Sequence, residues 1–123
     1  MSSPAAMSLT ITQKEQDQRP VLALVGDLDA TTAPQLASVA QSVVDDGARD
    51  LILEAEGLTF CDSNGLSVFV QIAGRLRSRA GRLAIVAPSD AVRQALESGG
   101  LSDAFVIAGS VAGALYAIHR DHP

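Results

Sequence analysis

The chain has 123 residues, which is enough for one domain with a hydrophobic core and too few for two. Its formal net charge of −5 argues against nucleic-acid binding, because phosphate backbones are bound by basic surfaces. An aromatic content of 3% also leaves few side chains for stacking on bases. The single cysteine, Cys61, excludes an internal disulfide and fits a reducing cytoplasm.

From the sequence we expect no signal peptide in residues 1–6 and no membrane-spanning helix in residues 104–118. Residues 1–6 lack the basic start and long apolar stretch of a signal peptide, and we expect them to be a disordered tail. The most hydrophobic segment, residues 104–118, is interrupted by glycine and serine and falls short of the roughly 20 apolar residues of a spanning helix. We therefore expect a cytoplasmic protein without membrane insertion, with its domain at residues 7–119 and a tail at 120–123.

Strand and helix patterns alternate through the first half of the domain. In chain order they are a half-exposed strand at Ser8–Thr12, a polar turn at residues 15–20, a strand covered on both faces at Val21–Val25, and a helix from a Thr31 or Thr32 cap to Gly47. The apolar stripe of this helix consists of Leu36, Val39, Ala40 and Val43.

The second half continues the alternation. Its predicted elements are a strand at Asp50–Glu54, a helix from Ser63 to about Ala80, a strand at Leu83–Val86, a helix capped by Ser89 and ended by Gly99, a strand at Phe105–Ile107, and a helix at Val111–His119. Such alternation predicts one α/β domain with a mixed, mostly parallel sheet of about five strands and about four helices. The opening strand pair is interpreted as an antiparallel hairpin.

A hydroxyl stands where the third strand gives way to a helix. Leu66, Phe69, Val70 and Ala73 recur at helical spacing directly after Ser63, and both Asp62 and Ser63 are good N-cap residues. A phosphate on Ser63 is expected to lie at the positive end of this helix, surrounded by backbone donors. From these residues alone, Ser63 is either a phosphorylation site or simply a helix cap.

Four segments resemble one family. Phe60–Leu66 resembles the signature of STAS domains, in particular of single-domain bacterial anti-sigma factor antagonists, in which an apolar residue precedes Asp-Ser-x-Gly-Leu. Val25–Asp29 resembles the family's Gly-Glu-Leu-Asp turn, with Asp27 in place of the usual Glu. Pro88–Val92 and Ser98–Leu101 resemble its later segments, so the similarity covers nearly the whole chain in the family's order.

The resemblance implies a binding module and not an enzyme. An anti-sigma factor antagonist binds an anti-sigma factor, which in the family is a serine kinase, and thereby releases a sigma factor for transcription. Phosphorylation of Ser63 would end the complex, and a protein phosphatase would reverse it. This partner switching serves stress response or sporulation. We expect no cofactor, no metal site, and a monomer or weak homodimer.

The same resemblance implies a partner-binding surface around Ser63, formed by Asp27, Asp29, Asp62, Asn64, Gly65 and Leu66. Three of these positions have alternative roles. Asp27 and Asp29 could instead form the turn and cap near Thr31, and Gly65 could provide room for packing of the helix on the sheet. Because Asn64 stands where the family often has Ser or Thr, Ser63 is the hydroxyl expected to be modified.

Other interpretations fit the sequence less well. A serine hydrolase would need Gly in place of Cys61 and a nearby base, yet the only histidines are His119 and His122. A phosphate-receiver domain with a magnesium pocket would need a lysine late in the chain, and the sole lysine is Lys14. An accessory subunit of a lipid transporter, or of a stress-signalling assembly, remains the alternative within the family.

Two further features of the sequence are explained by structural roles. Arg75, Arg77, Arg79 and Arg82 form a basic cluster that could attract an acidic partner, but such cations also complement the carboxyl end of a helix. Cys61 occupies the apolar position before Asp62 and is predicted to be a buried, inert thiol.

Overall fold

Five strands form one mixed sheet in the order β1-β2-β3-β4-β5 in a computed structural model that describes residues 8–100 and 104–121. The strands are β1 (Leu9–Gln16), β2 (Arg19–Leu28), β3 (Leu51–Cys61), β4 (Leu83–Val86) and β5 (Val106–Ala108). Strand β1 runs antiparallel to β2, and the remaining neighbours are parallel. The predicted α/β class with an opening hairpin is confirmed.

Four helices cover the two faces of the sheet unequally. They are α1 (Ala33–Asp45), α2 (Ser63–Arg77), α3 (Asp90–Ser98) and α4 (Val111–Asp121). Helices α1 to α3 pack with one set of strand side chains, such as Leu22 and Leu53, and form the larger core. Helix α4 packs with the alternate set, such as Ile52 and Ala84, because successive strand residues point to opposite faces. Within the described part of the chain, no helix is long and apolar enough to cross a membrane.

The turn between β1 and β2 is shorter than the sequence predicted. Strand β1 continues to Gln16, so residues 15 and 16 belong to the strand and not to a polar turn. The connection is only Asp17 and Gln18, whose φ angles of 56° and 64° are those required by a two-residue hairpin turn of type I′. Polar side chains misled the prediction because β1 is an edge strand with mostly exposed residues.

Strands β2 and β3 extend well past their predicted ends at Val25 and Glu54. Their polar and glycine-rich continuations stay paired, so that Asp27 lies beside Phe60 and Leu28 beside Cys61 in the ladder. Val25 is exposed, which corrects the prediction of a strand covered on both faces. The reason is that α4 packs on β3, β4 and β5 and leaves this part of β2 open.

The helices begin close to their predicted residues and differ mainly at their ends. Helix α2 ends at Arg77, before its predicted end at about Ala80. After this end, the Gly81 N–H donates a hydrogen bond to the Leu76 carbonyl oxygen at 2.8 Å. Its exposed Val70 was predicted to be part of the apolar stripe, whereas Val68 and Ile72 are buried. Strand β5 begins one residue later than predicted, and α4 continues two residues beyond His119. Residues 1–7, Leu101 and His122 lie outside the described residues.

Candidate functional site

The carboxyl ends of β2 and β3 bring the predicted site residues to one edge of the sheet. Leu28 and Cys61 are neighbours in the parallel ladder, and the Asp62 N–H donates to the Leu28 carbonyl at 3.1 Å. The chain then turns into α2 from β3 and towards α1 from β2. We name this region, with Asp27, Asp29, Asp62 and Ser63, the carboxyl edge.

The cap of α2 is Asp62. Its Oδ1 accepts hydrogen bonds from the backbone N–H groups of Asn64 at 2.9 Å and Gly65 at 3.3 Å. The Asn64 side-chain amide donates to Oδ2 at 3.4 Å. Ser63 is the first helical residue and is exposed, so its hydroxyl is not needed for capping. A phosphate on Ser63 was expected to be surrounded by backbone donors, but the Asp62 carboxylate already accepts hydrogen bonds from two of these donors.

Asp27 is held at the carboxyl edge by a residue that the sequence did not single out. The exposed Thr59 hydroxyl lies 2.8 Å from Oδ1 of Asp27 and 3.0 Å from the Gly26 carbonyl oxygen. A single hydroxyl proton can serve only one of these acceptors at a time. No sequence signal marked Thr59, because it lies in the part of β3 beyond the predicted strand, between the two residues that pair with Gly26 and Asp27.

Asp29 is turned into the protein, with 7% of its surface exposed. Its Oδ1 accepts from the N–H groups of Thr31 at 2.9 Å and Thr32 at 3.1 Å. Oδ2 is buried and has no hydrogen-bond partner among the described residues. Thr32 is the N-cap residue of α1 but makes no side-chain cap bond. These contacts favour the turn-forming role for Asp29 over direct contact with a partner.

Gly65 is buried beneath the start of α2. A Cβ atom there would come within 2.7 Å of the Leu28 side chain and 2.8 Å of Cys61 Sγ, so this position serves the packing of α2 on the sheet. Asn64 is exposed, and Leu66 is half-buried against the core. Leu66 also lines a shallow depression together with Ser63, Ser67, Val70 and Gln71.

Exposed apolar side chains accompany the polar ones. Phe60 is 49% exposed and lies beside Asp27 in the ladder, three residues before Ser63. Val70 is exposed and shares the depression with Ser63. Neither was predicted as a site residue: Phe60 was taken only as part of the motif, and Val70 as core. Ser63 therefore shares its depression with the exposed Val70, and the exposed Phe60 lies three residues before it.

The carboxyl edge carries uncompensated negative charge. Among the described residues, Asp27 and Asp62 have no salt-bridge partner, in contrast to Glu54, which pairs with Lys14, and Asp50, which pairs with Arg19. In the same part of the chain, no cluster of three or more His, Cys, Asp or Glu residues could hold a metal ion. The negative edge is therefore suited to a cationic partner surface.

Cys61 lies directly beneath the edge. Burial, with a smaller contribution from the Asp62 carboxylate, raises the pKa of the Cys61 thiol from 9.0 to about 12. Both influences disfavour the negatively charged thiolate, so the thiol stays protonated at neutral pH. This agrees with the prediction of an inert thiol.

The basic residues of α2 lie far from Ser63. Arg75 and Arg77 occupy the last turn of a 15-residue helix, which places them about 18–21 Å along the axis from its first residue. Arg79 Nη1 donates to the Val44 carbonyl at 2.7 Å. These contacts and positions favour the helix-end interpretation of the cluster.

Comparisons with known proteins identify the family to which this fold belongs. The STAS domain model matches residues 10–114. An anti-sigma-B factor antagonist from Staphylococcus aureus is 33% identical over 97 residues, which cover 79% of this chain and 90% of that protein. A crystal structure of an anti-sigma factor antagonist from Mycobacterium paratuberculosis superposes with a TM-score of 0.85 at 27% identity, covering 97% of this chain and 99% of that one.

The same fold is found in the Bacillus cell fate determinant SpoIIAA in its phosphorylated form, with a TM-score of 0.67 and 24% identity. That likeness covers 90% of this chain and 98% of SpoIIAA. The family model, the S. aureus relative and the shared topology all confirm the resemblance seen in the sequence. The chain belongs to the STAS domain family.

Proposed function

We propose that this protein is an anti-sigma factor antagonist whose unphosphorylated carboxyl edge binds an anti-sigma factor. The observation that carries the proposal is the exposed Ser63 at the first residue of α2, beside Asp62 and the end of β2. The names of the S. aureus and M. paratuberculosis relatives support the same role. Binding would release a sigma factor and allow transcription.

The contact surface combines charge with apolar area. Asp27 and Asp62 provide negative charge without a salt bridge among the described residues. Phe60, Leu66 and Val70 provide the apolar part. Buried aromatic side chains commonly dominate binding energy, while charges at the rim steer association. The expected partner surface therefore has a basic rim around an apolar depression that receives Phe60.

Phosphorylation would switch this surface off. In the proposed step, a serine kinase catalyses attack of the Ser63 hydroxyl oxygen on the γ-phosphorus of magnesium-bound ATP. The new oxygen–phosphorus bond replaces the bond to ADP, which leaves, and the hydroxyl proton passes to a base of the kinase. The phosphate adds about −1.5 to −2 charges at neutral pH. Opposition of like charges at an interface costs several kcal/mol, and each 1.4 kcal/mol is tenfold in affinity.

The protein in this scheme is a substrate and a binding module without catalysis of its own. The kinase would be the anti-sigma factor itself, and a separate protein phosphatase would hydrolyse the phosphoserine and restore binding. The exchange would take place in the cytoplasm, where ATP and the sigma factor are available. Exposure of Ser63 supports access for both enzymes.

Binding measurements with the individually purified anti-sigma factor kinases of the source bacterium test the proposal. We expect one kinase to bind the unphosphorylated protein and Ser63→Ala equally, and to bind the Ser63-phosphorylated form at least about a hundredfold more weakly, which corresponds to about 2.7 kcal/mol. Ser63→Asp should weaken binding less, because one carboxylate carries less charge than a phosphate. Calorimetry measures the affinities, and mass analysis of the peptide containing Asp62 locates the phosphate.

Ser67→Ala is the matched control. Ser67 is exposed on the same helix, one turn after Ser63, and lines the same depression. This variant should still accept one phosphoryl group and lose binding upon phosphorylation. Equal affinity of the phosphorylated protein and Ser63→Ala would contradict the switch. Stable co-purification with a membrane permease would instead support the accessory-subunit alternative.

A further inference from the structure

The amino end of α2 is already occupied by a carboxylate of the protein itself. Asp62 Oδ1 accepts from the Asn64 and Gly65 N–H groups, and Oδ2 lies 3.4 Å from the Asn64 side-chain nitrogen. The first N–H groups of a helix have no intrahelical partner and normally favour an anion. Here the Asn64 and Gly65 N–H groups already have an anionic acceptor before any phosphate is attached.

We propose that Asp62 keeps a phosphoryl group on Ser63 out of the amino end of α2, so that the group stays in solvent as a repelled anion. Asp62 is then a positioning residue of the switch as well as a helix cap. The inference rests on the proposed function only in taking Ser63 as the phosphorylated residue. It concerns the phosphorylated protein by itself, without kinase or partner.

Two physical effects act in the same direction. The amides that would stabilise a phosphate are engaged with Asp62, so the phosphate gains them only by displacing a carboxylate in the adjacent residue. The two anions also repel each other, since they are attached to neighbouring residues. If Asp62 moved aside, α2 would lose its side-chain cap, which is commonly worth about 1 kcal/mol.

The other groups around the phosphate do not offset this repulsion. Asp27 at the end of β2 adds a further carboxylate to the edge, and Asp29 beside it has one buried oxygen without a partner among the described residues. The Cys61 thiol is held protonated. Helix α1 contains no Lys, Arg or His, and the basic residues of α2, Arg75 and Arg77, are in its last turn.

The proposal has a functional consequence for the reversal of the switch. A phosphate gripped by backbone amides would be shielded and would stabilise the fold. A phosphate excluded by Asp62 remains accessible to a phosphatase and makes the phosphorylated protein less stable than the unphosphorylated one. The arrangement therefore favours a phosphoserine that is easily removed.

Phosphorus NMR titration of the full chain tests the inference. Phosphoserine is installed at position 63 during translation, in the wild-type protein, in Asp62→Asn and in Glu97→Gln. Asn also caps helices well, so Asp62→Asn removes the charge and keeps the cap. A neighbouring negative charge disfavours the dianion and so raises the second pKa of the phosphate above its usual value of about 6.

We expect that pKa in the wild-type protein to exceed that in Asp62→Asn by at least about 0.5 units, equivalent to about 0.7 kcal/mol. Glu97→Gln is the control for net charge, because Glu97 is exposed in α3, and it should keep the wild-type value. A phosphate pKa that is equal in the wild-type protein and Asp62→Asn, or lower in the wild type, overturns the proposal.

Thermal unfolding with Asp62→Gly gives a second, independent result. Glycine at an N-cap costs only a few tenths of a kcal/mol relative to a good cap, and this variant frees the Asn64 and Gly65 amides. At pH 8, phosphorylation of Ser63 should lower the melting temperature of the wild-type protein and raise that of Asp62→Gly. Stabilisation of the wild-type protein by phosphorylation would contradict the inference, whatever the kinase assays show.

Discussion

Two aspartates with nearly the same burial lie at opposite edges of the sheet. Asp50 precedes β3 and is 3% exposed, and Asp29 follows β2 and is 7% exposed. Asp50 Oδ2 accepts from Arg19 Nε at 3.3 Å, and Oδ1 accepts from the Arg82 N–H at 2.8 Å. Asp29 is bonded only by backbone amides and the Thr32 hydroxyl, and its Oδ2 has no hydrogen-bond partner among the described residues.

This difference distinguishes the amino edge, where the carboxylate is part of an ion pair, from the carboxyl edge, which is suited to binding. At the amino edge, a cationic side chain of this chain neutralises the carboxylate. At the carboxyl edge, Asp27 and Asp62 are oriented by neutral donors, a hydroxyl in one case and amides in the other. Neutral donors fix a carboxylate in place but leave its charge available. The comparison teaches that two acids with similar burial can differ in whether a cation of the same chain neutralises them.

Substitution of one aspartate at each edge should show that Asp50 contributes to stability and Asp27 to binding. Asp50→Ala leaves the partly buried Arg19 without its carboxylate and the Arg82 N–H without its side-chain acceptor, and should cost about 3 kcal/mol of unfolding free energy. Asp27→Ala removes only an exposed hydrogen bond and should cost about 0.5 kcal/mol, while it weakens the anti-sigma factor complex. Urea unfolding and calorimetric binding measure the two effects. Comparable losses of stability in both variants would remove the distinction between the edges.

A second test asks whether the carboxyl edge is the interface with the anti-sigma factor. Phe60→Ser should weaken binding of the anti-sigma factor about tenfold to thirtyfold, because an exposed aromatic side chain beside the charged site is the expected anchor. Tyr116→Ser is the matched control, since Tyr116 is 67% exposed but belongs to α4, which follows β5 and packs chiefly on β4 and β5. Calorimetry with the same partner measures both. If Tyr116→Ser weakens binding as strongly as Phe60→Ser, the interface is elsewhere.

The smallest expected effect concerns the packing of the start of α2 on the sheet. Gly65→Ala places a Cβ within 2.7 Å of Leu28 and should destabilise the fold by about 1–2 kcal/mol as the helix start shifts. Gly74→Ala lies on the same helix with no atom within 4 Å of its Cβ, and should stabilise the fold by about 0.5–1 kcal/mol. Thermal unfolding checks both signs. Stabilisation by both substitutions would show that Gly65 does not set the position of Ser63.

Much of the architecture could be predicted because local signals agree with the tertiary fold. Strand β4 has its predicted bounds, and Ser89 caps α3 by accepting from the Val92 N–H at 3.3 Å. The start of α2 at Ser63 followed from the change of period and the capping residues. Strands β2 and β3 were predicted too short, because their last residues are polar or glycine and remain strands only through pairing with each other.

The structure brings the predicted site residues to one edge of the sheet, but it arranges several of them differently from the prediction. Asp62 and Ser63 are at the predicted helix start, whereas Asp29 faces inward and Thr59 and Phe60 went unrecognised. Whether the Thr59 hydroxyl lies beside Asp27, and which residue of β3 is the neighbour of Asp27, depends on how the end of β2 pairs with the end of β3. That relation joins residues about 30 positions apart, and sequence patterns report only near neighbours.

The sequence by itself determined the alternation of strands and helices, the placement of a hydroxyl at a helix start, and the membership of the STAS domain family, since periodicity, capping preference and motif are local properties of the chain. Only the tertiary structure decided that Asp50 is neutralised and the carboxyl edge is not, and that Phe60 is exposed beside Asp27. These are consequences of strand pairing and of where helices cover the sheet, and they fix the direction and the partners of side chains that the sequence can only name.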